Sequence, residues 1–210
     1  VINIPLTFGG RAAFMIQNVL AATLAAYLNG LTTEDIKFGL TTFVPGTAQT
    51  PGRLNLIEVG EFKVLIDFAH NPAGMEALSK FVDKFPNKVK IGVVAGTGDR
   101  RDEDIIKLGT VVGKMFTKVV IRQDDNLRGR ATANEISDLL LKGILKANPE
   151  IKHKVIADEV EAIEFALSHT NKNELLVLFP DDIPRCIEIV TKFRESLNPV
   201  KVEHSDIPNQ

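Results

Sequence analysis

Asp67-Phe68-Ala69-His70-Asn71-Pro72 sets an acid, an imidazole and an amide on one short turn, with Arg53 of Pro51-Gly52-Arg53 upstream. The run Lys63-Val64-Leu65-Ile66 before it reads as a buried strand, and helical periodicity begins near Ala73. The turn therefore stands at the carboxyl end of a strand, the edge at which open α/β sheets bind ligands. The same residues also suit a plain helix cap, and both readings stand for the isolated hexapeptide. Gly96-Thr97-Gly98-Asp99-Arg100-Arg101-Asp102-Glu103-Asp104 follows another strand; its glycines let backbone approach a ligand, and its acids open a helix where the dipole favours them. Gln123-Asp124-Asp125-Asn126-Leu127-Arg128-Gly129-Arg130 follows a third. Its mixture of Asp and Arg fits a solvated loop or a clamp on a zwitterion, since guanidinium pairs with carboxylate and Asp holds an amine. Placed on one sheet edge, the three segments argue for a site more strongly than any one of them.

Other chemistry finds little support. His153, His169 and His204 lack ligand spacing, so no metal site is expected. Cys186, flanked by Ile187 and Ile189, reads as a packed thiol rather than a nucleophile. Asp181 and Asp182 read as caps of the last helix. There is no nucleophile elbow, CxxC pair, dinucleotide fingerprint or P-loop; Gly113-Lys114 lacks the upstream Gly and the following Ser or Thr. If the protein uses ATP, the triphosphate cradle is expected outside these residues.

The elements that must position the three segments alternate in type. From Arg53 onward the pattern predicts strands 54–59 and 62–66 as a hairpin, helix 73–84, strand 90–95, helix 103–116, strand 118–121 and helix 133–147. Strand 154–157, helix 158–169, strand 174–179 and helix 182–197 complete it. Repeated βα units with apolar strands imply an α/β fold, a doubly wound, mostly parallel sheet. Ahead of them, Ala12 to Asn29 and a segment capped at Thr32 or Thr33 and running to Thr42 read as two helices; a Pro- and Gly-containing linker follows. Two helices without a sheet cannot cover both faces of the first, so 1–43 is expected to be the end of a domain whose body lies elsewhere. The 210 residues, 44% hydrophobic and 25% charged with net charge -2, suit a soluble globular protein without a nucleic-acid partner. One cysteine, no membrane-length apolar run and no signal segment at Val1 point to the cytoplasm and to a piece of a longer protein. Self-association stays open.

In order and spacing, five blocks resemble the C-terminal part of the Mur ligase superfamily, the ATP-dependent amide-bond ligases. They are Gly9-Gly10-Arg11-Ala12 leading to Gln17-Asn18-Val19-Leu20-Ala21-Ala22, then Pro51-Gly52-Arg53, Asp67 through Gly74, Gly98 through Asp104, and Leu127-Arg128-Gly129-Arg130. The resemblance implies that 1–50 end a central ATPase domain plus linker, that 51–198 form a Rossmann-like C-terminal domain, and that 199–210 are a flexible tail. It implies ATP and Mg2+ as cofactors, held mainly by the central domain. Asn18 would contact adenine, Arg53 the phosphates and Asp67 the ribose, with His70 and Asn71 lining the cleft and His70 and Arg53 nearest the chemistry. Gly98, Asp99, Arg100, Asp125, Asn126, Arg128 and Arg130 would meet the substrate; Asp125 to Arg128 look like the Asp-Asn-Pro-Arg loop that grips the incoming amino acid. Leu127 replaces that proline, and Met15 stands where many members have Asn. One branch of the superfamily joins arginine to side-chain carboxylates of an aspartate polymer through an acyl phosphate, and Asp124 and Asp125 suit a cationic amino acid. An acidic peptide or polymer acceptor is then expected. A muramyl-peptide or folylpolyglutamate-type ligase, or a non-catalytic binding module, are the alternatives.

Overall fold

The computed structural model describes residues 2–123 and 126–197. Six strands form one sheet: β1 (Asn55–Val59), β2 (Phe62–Ile66), β3 (Lys90–Val94), β4 (Lys118–Ile121), β5 (Lys152–Val155) and β6 (Leu175–Leu178), in the order β1-β2-β6-β3-β4-β5. β1 and β2 form the expected antiparallel hairpin across Gly60-Glu61; every other pairing is parallel. Val64, Leu65 and Ile66, like all four residues of β6, are buried, as strands covered on both faces must be.

Helices cover the two faces separately. α3 (Pro72–Val82), α4 (Asp102–Met115) and α5 (Ala133–Ala147) pack with Leu65, Val94, Val119 and Val177. α6 (Glu159–Ser168) and α7 (Ile183–Leu197) pack with Val64, Ile66, Val93, Val120 and Leu178. Asn71, Thr132 and Asp158 start α3, α5 and α6 as side-chain caps, each accepting a backbone N–H of its helix's first turn. α4 and α5 touch backbone to backbone: a Cβ on Gly143 would strike the Ile106 carbonyl oxygen, so the crossing requires glycine there.

The arrangement makes β6 a switch point. Its chain leaves toward α7 on one face, while the chains of its neighbours β2 and β3 leave toward α3 and α4 on the other. The crevice above the carboxyl end of β6 thus opens among the loops expected to carry the site.

Most boundaries shift by one or two residues from the sequence reading, and two of the shifts have a clear physical cause. α1 (Met15–Leu28) starts later than Ala12, because Ala12 is fully buried and donates its N–H back to the Thr7 carbonyl at 3.0 Å, within a turn that follows a short 3-10 segment at Pro5–Thr7. β5 lies two residues earlier than 154–157: its strand is Lys152-His153-Lys154-Val155, fixed by pairing with β4, and all four are exposed. An edge strand with no buried face leaves no apolar run to find. α2 (Thr33–Thr42) is capped by Thr32 in a capping box with Asp35. α1 buries only Met15 and Val19, whereas Leu20, Leu24, Tyr27 and Leu28 are exposed. The expected tail 199–210 lies outside the described residues.

Candidate functional site

Asp67 directly follows β2, with its carboxylate turned into the protein, 7% exposed. Its Oδ2 accepts the N–H of Leu54 at 3.1 Å and its Oδ1 that of Ala69 at 2.9 Å, tying the turn to the segment before β1. Burial pushes its pKa above the usual carboxylate range, against the two amide hydrogen bonds and the nearby Arg53 charge. Leu54 takes a left-handed backbone, φ 49°, to make this bond, which sets the preceding Arg53 on the surface. The Arg53 guanidinium lies 5.4 Å from the centre of the Phe68 ring, a cation–π contact. His70 is exposed, its ring 5.1 Å from that of Phe68 and its Nδ1 3.0 Å from the Phe68 carbonyl oxygen. Asn71 is the cap of α3, its Oδ1 accepting the Gly74 N–H at 2.8 Å. The capping reading of the hexapeptide holds at Asn71, while His70, and Arg53 ahead of the hexapeptide, are exposed.

The second rim joins the loops after β3 and β4. Gly98 packs against the Leu127 backbone so closely that a Cβ would strike its carbonyl oxygen. Arg130 binds the two loops together: Nε donates to the Gly98 carbonyl at 3.1 Å, Nη2 to the Arg100 carbonyl at 2.6 Å, and Nη1 to Asp102 at 2.6 Å and Glu135 at 2.7 Å. Arg130, expected to meet substrate, has its guanidinium engaged within the protein on every nitrogen. Arg128 lies 3.5 Å from Asp99, and Asp99, Arg100 and Asn126 are exposed beside it. Asp125 lies outside the described residues. Asn18 is exposed on α1, its Nδ2 3.3 Å from the Met15 sulfur, and no hydrogen bond among the described residues joins it to the Asp67 turn.

Between the rims lies a group the sequence reading missed. Arg122, 4% exposed, follows β4 and donates to Asp181 at 2.8 Å and to the Phe179 carbonyl at 3.0 Å, with Glu159 at 3.0 Å. Glu159 in turn accepts the backbone N–H groups of Asp181 and Asp182. Asp182 does cap its helix, through the Arg185 N–H, but Asp181 pairs with Arg122. Three elements distant in sequence meet here, so no local pattern announces it. Above Arg122 a cavity of about 20 Å³, lined also by Ala69, His70 and Thr97, has room for a water-sized group. The Thr97 Oγ1 on its wall is buried without a hydrogen-bond partner among the described residues.

A family model described as the Mur ligase, glutamate ligase domain, matches residues 52–181. The chain belongs to the Mur ligase family. Its relatives are ATP-dependent amide-bond ligases. A cyanophycin synthetase of Crocosphaera subtropica is 45% identical over 191 residues, 91% of this chain and 22% of that protein. A UDP-N-acetylmuramoyl-L-alanyl-D-glutamate–2,6-diaminopimelate ligase of Caldanaerobacter subterraneus is 31% identical over 166 residues, 79% of this chain and 33% of that protein. The solved structure of E. coli FolC in complex with DHPP and ADP superposes with a TM-score of 0.64 at 20% identity, covering 84% of this chain and 39% of FolC, a likeness of fold. The chain thus spans about a fifth of the length of the cyanophycin synthetase it resembles in sequence. Among the described residues no helix is long and apolar enough to cross a membrane, and no group of three acidic, His or Cys side chains could hold a metal ion.

Proposed function

We propose that this chain is the C-terminal part of a longer ATP-dependent ligase that joins an amino acid, arginine first among candidates, to side-chain carboxylates of an acidic peptide polymer. The 45% identity to a cyanophycin synthetase supports the substrates, and the matched family span beginning at Gly52 supports a domain boundary in the linker ahead of it. The single observation that carries the reading is the carboxyl edge of the sheet. One rim presents Arg53 and His70, and the facing rim presents Asp99, Arg100 and Arg128.

The residues present fit a nucleotide. Arg53 is a fixed, outward cation for phosphate oxygens, and Phe68 offers a flat apolar face next to it. ATP would supply the phosphoryl group that activates the acceptor carboxylate as an acyl phosphate. Here Arg53 would neutralise charge on phosphate oxygens, and His70, free to turn its Nε2 toward the cleft, would hold a proton or a hydrogen bond at the reacting edge. Asp67 sets the direction of both by fixing the turn; a ribose contact would use the lone pairs its two amides leave. On the second rim Arg128 would pair with the amino acid's α-carboxylate and Asp99 with a cationic group. Closure of the two rims would exclude water. Mg2+ would be held by the domain that carries the P-loop.

Calorimetric titration of the chain with ATP, arginine, aspartate, lysine and diaminopimelate tests this. ATP should bind, with affinity reduced in Arg53→Ala, and arginine should bind, with binding lost in Arg128→Ala. The chain alone should show no amino-acid-dependent ATP hydrolysis, since its sequence has no P-loop. Silence toward every ligand would leave a docking module. A preference for diaminopimelate would favour the reading that the 31% identical ligase supports.

A further inference from the structure

β5 is the edge strand of the sheet whose residues are all exposed, whereas the other edge strand, β1, buries Asn55 and Val59. Among the described residues β5 ends the strand order and pairs with β4 alone, and all four of its residues are exposed. Such an edge carries backbone groups ready to pair with another extended chain. Two of its four side chains are lysines. Lys152 pairs across to Lys118 and Lys154 to Val120, so both lysines lie on the α6 face, where Val120 packs with Ala162 and Ala166. Lys118 is neutralised by Glu174 at 2.9 Å. Lys152 and Lys154 have no acidic partner among the described residues, and the Lys154 Nζ rests 3.9 Å from the centre of the Phe165 ring. That ring stacks on His169 at 4.0 Å, and the two floor a groove of about 350 Å³ beside the lysines.

We propose that the β5 edge binds an acidic peptide as an added strand, and that this peptide is the acceptor polymer. The second clause rests on the function proposed above. The register of the two lysines supports this docking. Residues two apart on an extended chain lie about 6.6–6.8 Å apart and share a face. Lys152 and Lys154 have that spacing, so alternate carboxylates of an acidic strand beside β5 meet successive lysines while its backbone pairs with the open edge. The path is directional as well. β5 runs toward the carboxyl edge, where Ile156 donates its N–H to the Ile121 carbonyl and Ala157 accepts that of Gln123. Gln123 opens the loop that carries Asn126 and Arg128. A strand docked along the four residues of β5, about 13 Å, is led to that rim of the candidate site.

The test is a titration of the isotope-labelled chain with a decamer of aspartate, followed by amide NMR, with a neutral glycine-serine decamer as control. The aspartate peptide should shift residues 152–156 and 165–169 and slow hydrogen exchange in β5, and the neutral peptide should do neither. Lys152→Glu combined with Lys154→Glu, both on the surface, should weaken binding about tenfold or more while the rest of the spectrum is unchanged. An aspartate peptide that shifts only residues 97–100 and 126–130 overturns the docking edge and keeps the acceptor reading. Binding at β5 without an ATP response at the Asp67 turn keeps the edge and overturns the ligase site. No response at β5, with dimerisation in the double variant, overturns the proposal and leaves the lysines as guards against pairing between copies.

Discussion

The two rims of the carboxyl edge divide their charges in opposite ways. On the Asp67 rim the acid is buried and engaged by backbone amides, while a cation and an imidazole, Arg53 and His70, face solvent. On the other rim the cation Arg130 is engaged by carbonyls and carboxylates, while Asp99 and Arg100 stand exposed. In each, one charged side chain fixes the loop and other charged or ionisable side chains are presented. On the function proposed above, this difference divides the ligands. A rim whose exposed charge is positive suits phosphate, and a rim that exposes both signs suits a zwitterion. Fixing the loops in advance also limits the ordering cost when ligand arrives.

The comparison breaks most severely where the rims share a support. Arg122→Ala removes the buried cation between Glu159 and Asp181 and leaves their carboxylates without it. Breaking such a buried pair costs about 3–5 kcal/mol, so urea denaturation should show a large fall in midpoint at unchanged slope. An effect below about 1 kcal/mol would mean that the β6–α7 loop is held by other contacts and that the rims are independent. Gly98→Ala acts on the second rim alone. Its Cβ would strike the Leu127 carbonyl, so the loops after β3 and β4 must part, at about 1–3 kcal/mol. Arginine binding should fall with it, while nucleotide binding at the Asp67 rim is kept. Equal loss of both ligands would erase the distinction between the rims.

What was legible in the sequence followed from local rules. Thr32, Asn71 and Asp182 are caps because short polar side chains at a helix start find an amide within three residues. The strands with buried faces were readable from apolar runs, and β5 was displaced because its residues bury nothing. The carboxyl-edge placement of the three loops followed from the βα order. Side-chain roles within those loops did not follow. Arg128 and Arg130 are two residues apart and equally arginine, yet only Arg130 meets the Gly98 and Arg100 carbonyls, brought there by the β3–β4 pairing. Arg122 was hidden for the same reason, since its partners are supplied by α6 and by the loop after β6.

The smallest expected effect tests whether the buried acid of the first rim acts through its hydrogen bonds or its charge. Asp67→Asn keeps the shape and one acceptor but turns an amide N–H toward one of the two backbone donors, at about 1–2 kcal/mol. The pH dependence separates the two terms. Burial raises the pKa of Asp67, so just above the usual aspartate range the folded protein retains a proton that the unfolded chain has released. At this residue the folded state then binds more protons, and its contribution to stability must fall as pH rises through that window. The component of stability due to this residue is complete below the ordinary value of 3.8 and lost above the raised one. The other carboxylates are common to both proteins, so the stability of the parent chain relative to Asp67→Asn should decline as pH rises across the mildly acidic range, read from denaturation midpoints at each pH. If the two curves keep a constant offset, the carboxylate is ionised at no electrostatic disadvantage, its amide bonds and Arg53 offset its burial fully, and the first rim is as ready to hold negative charge as the second.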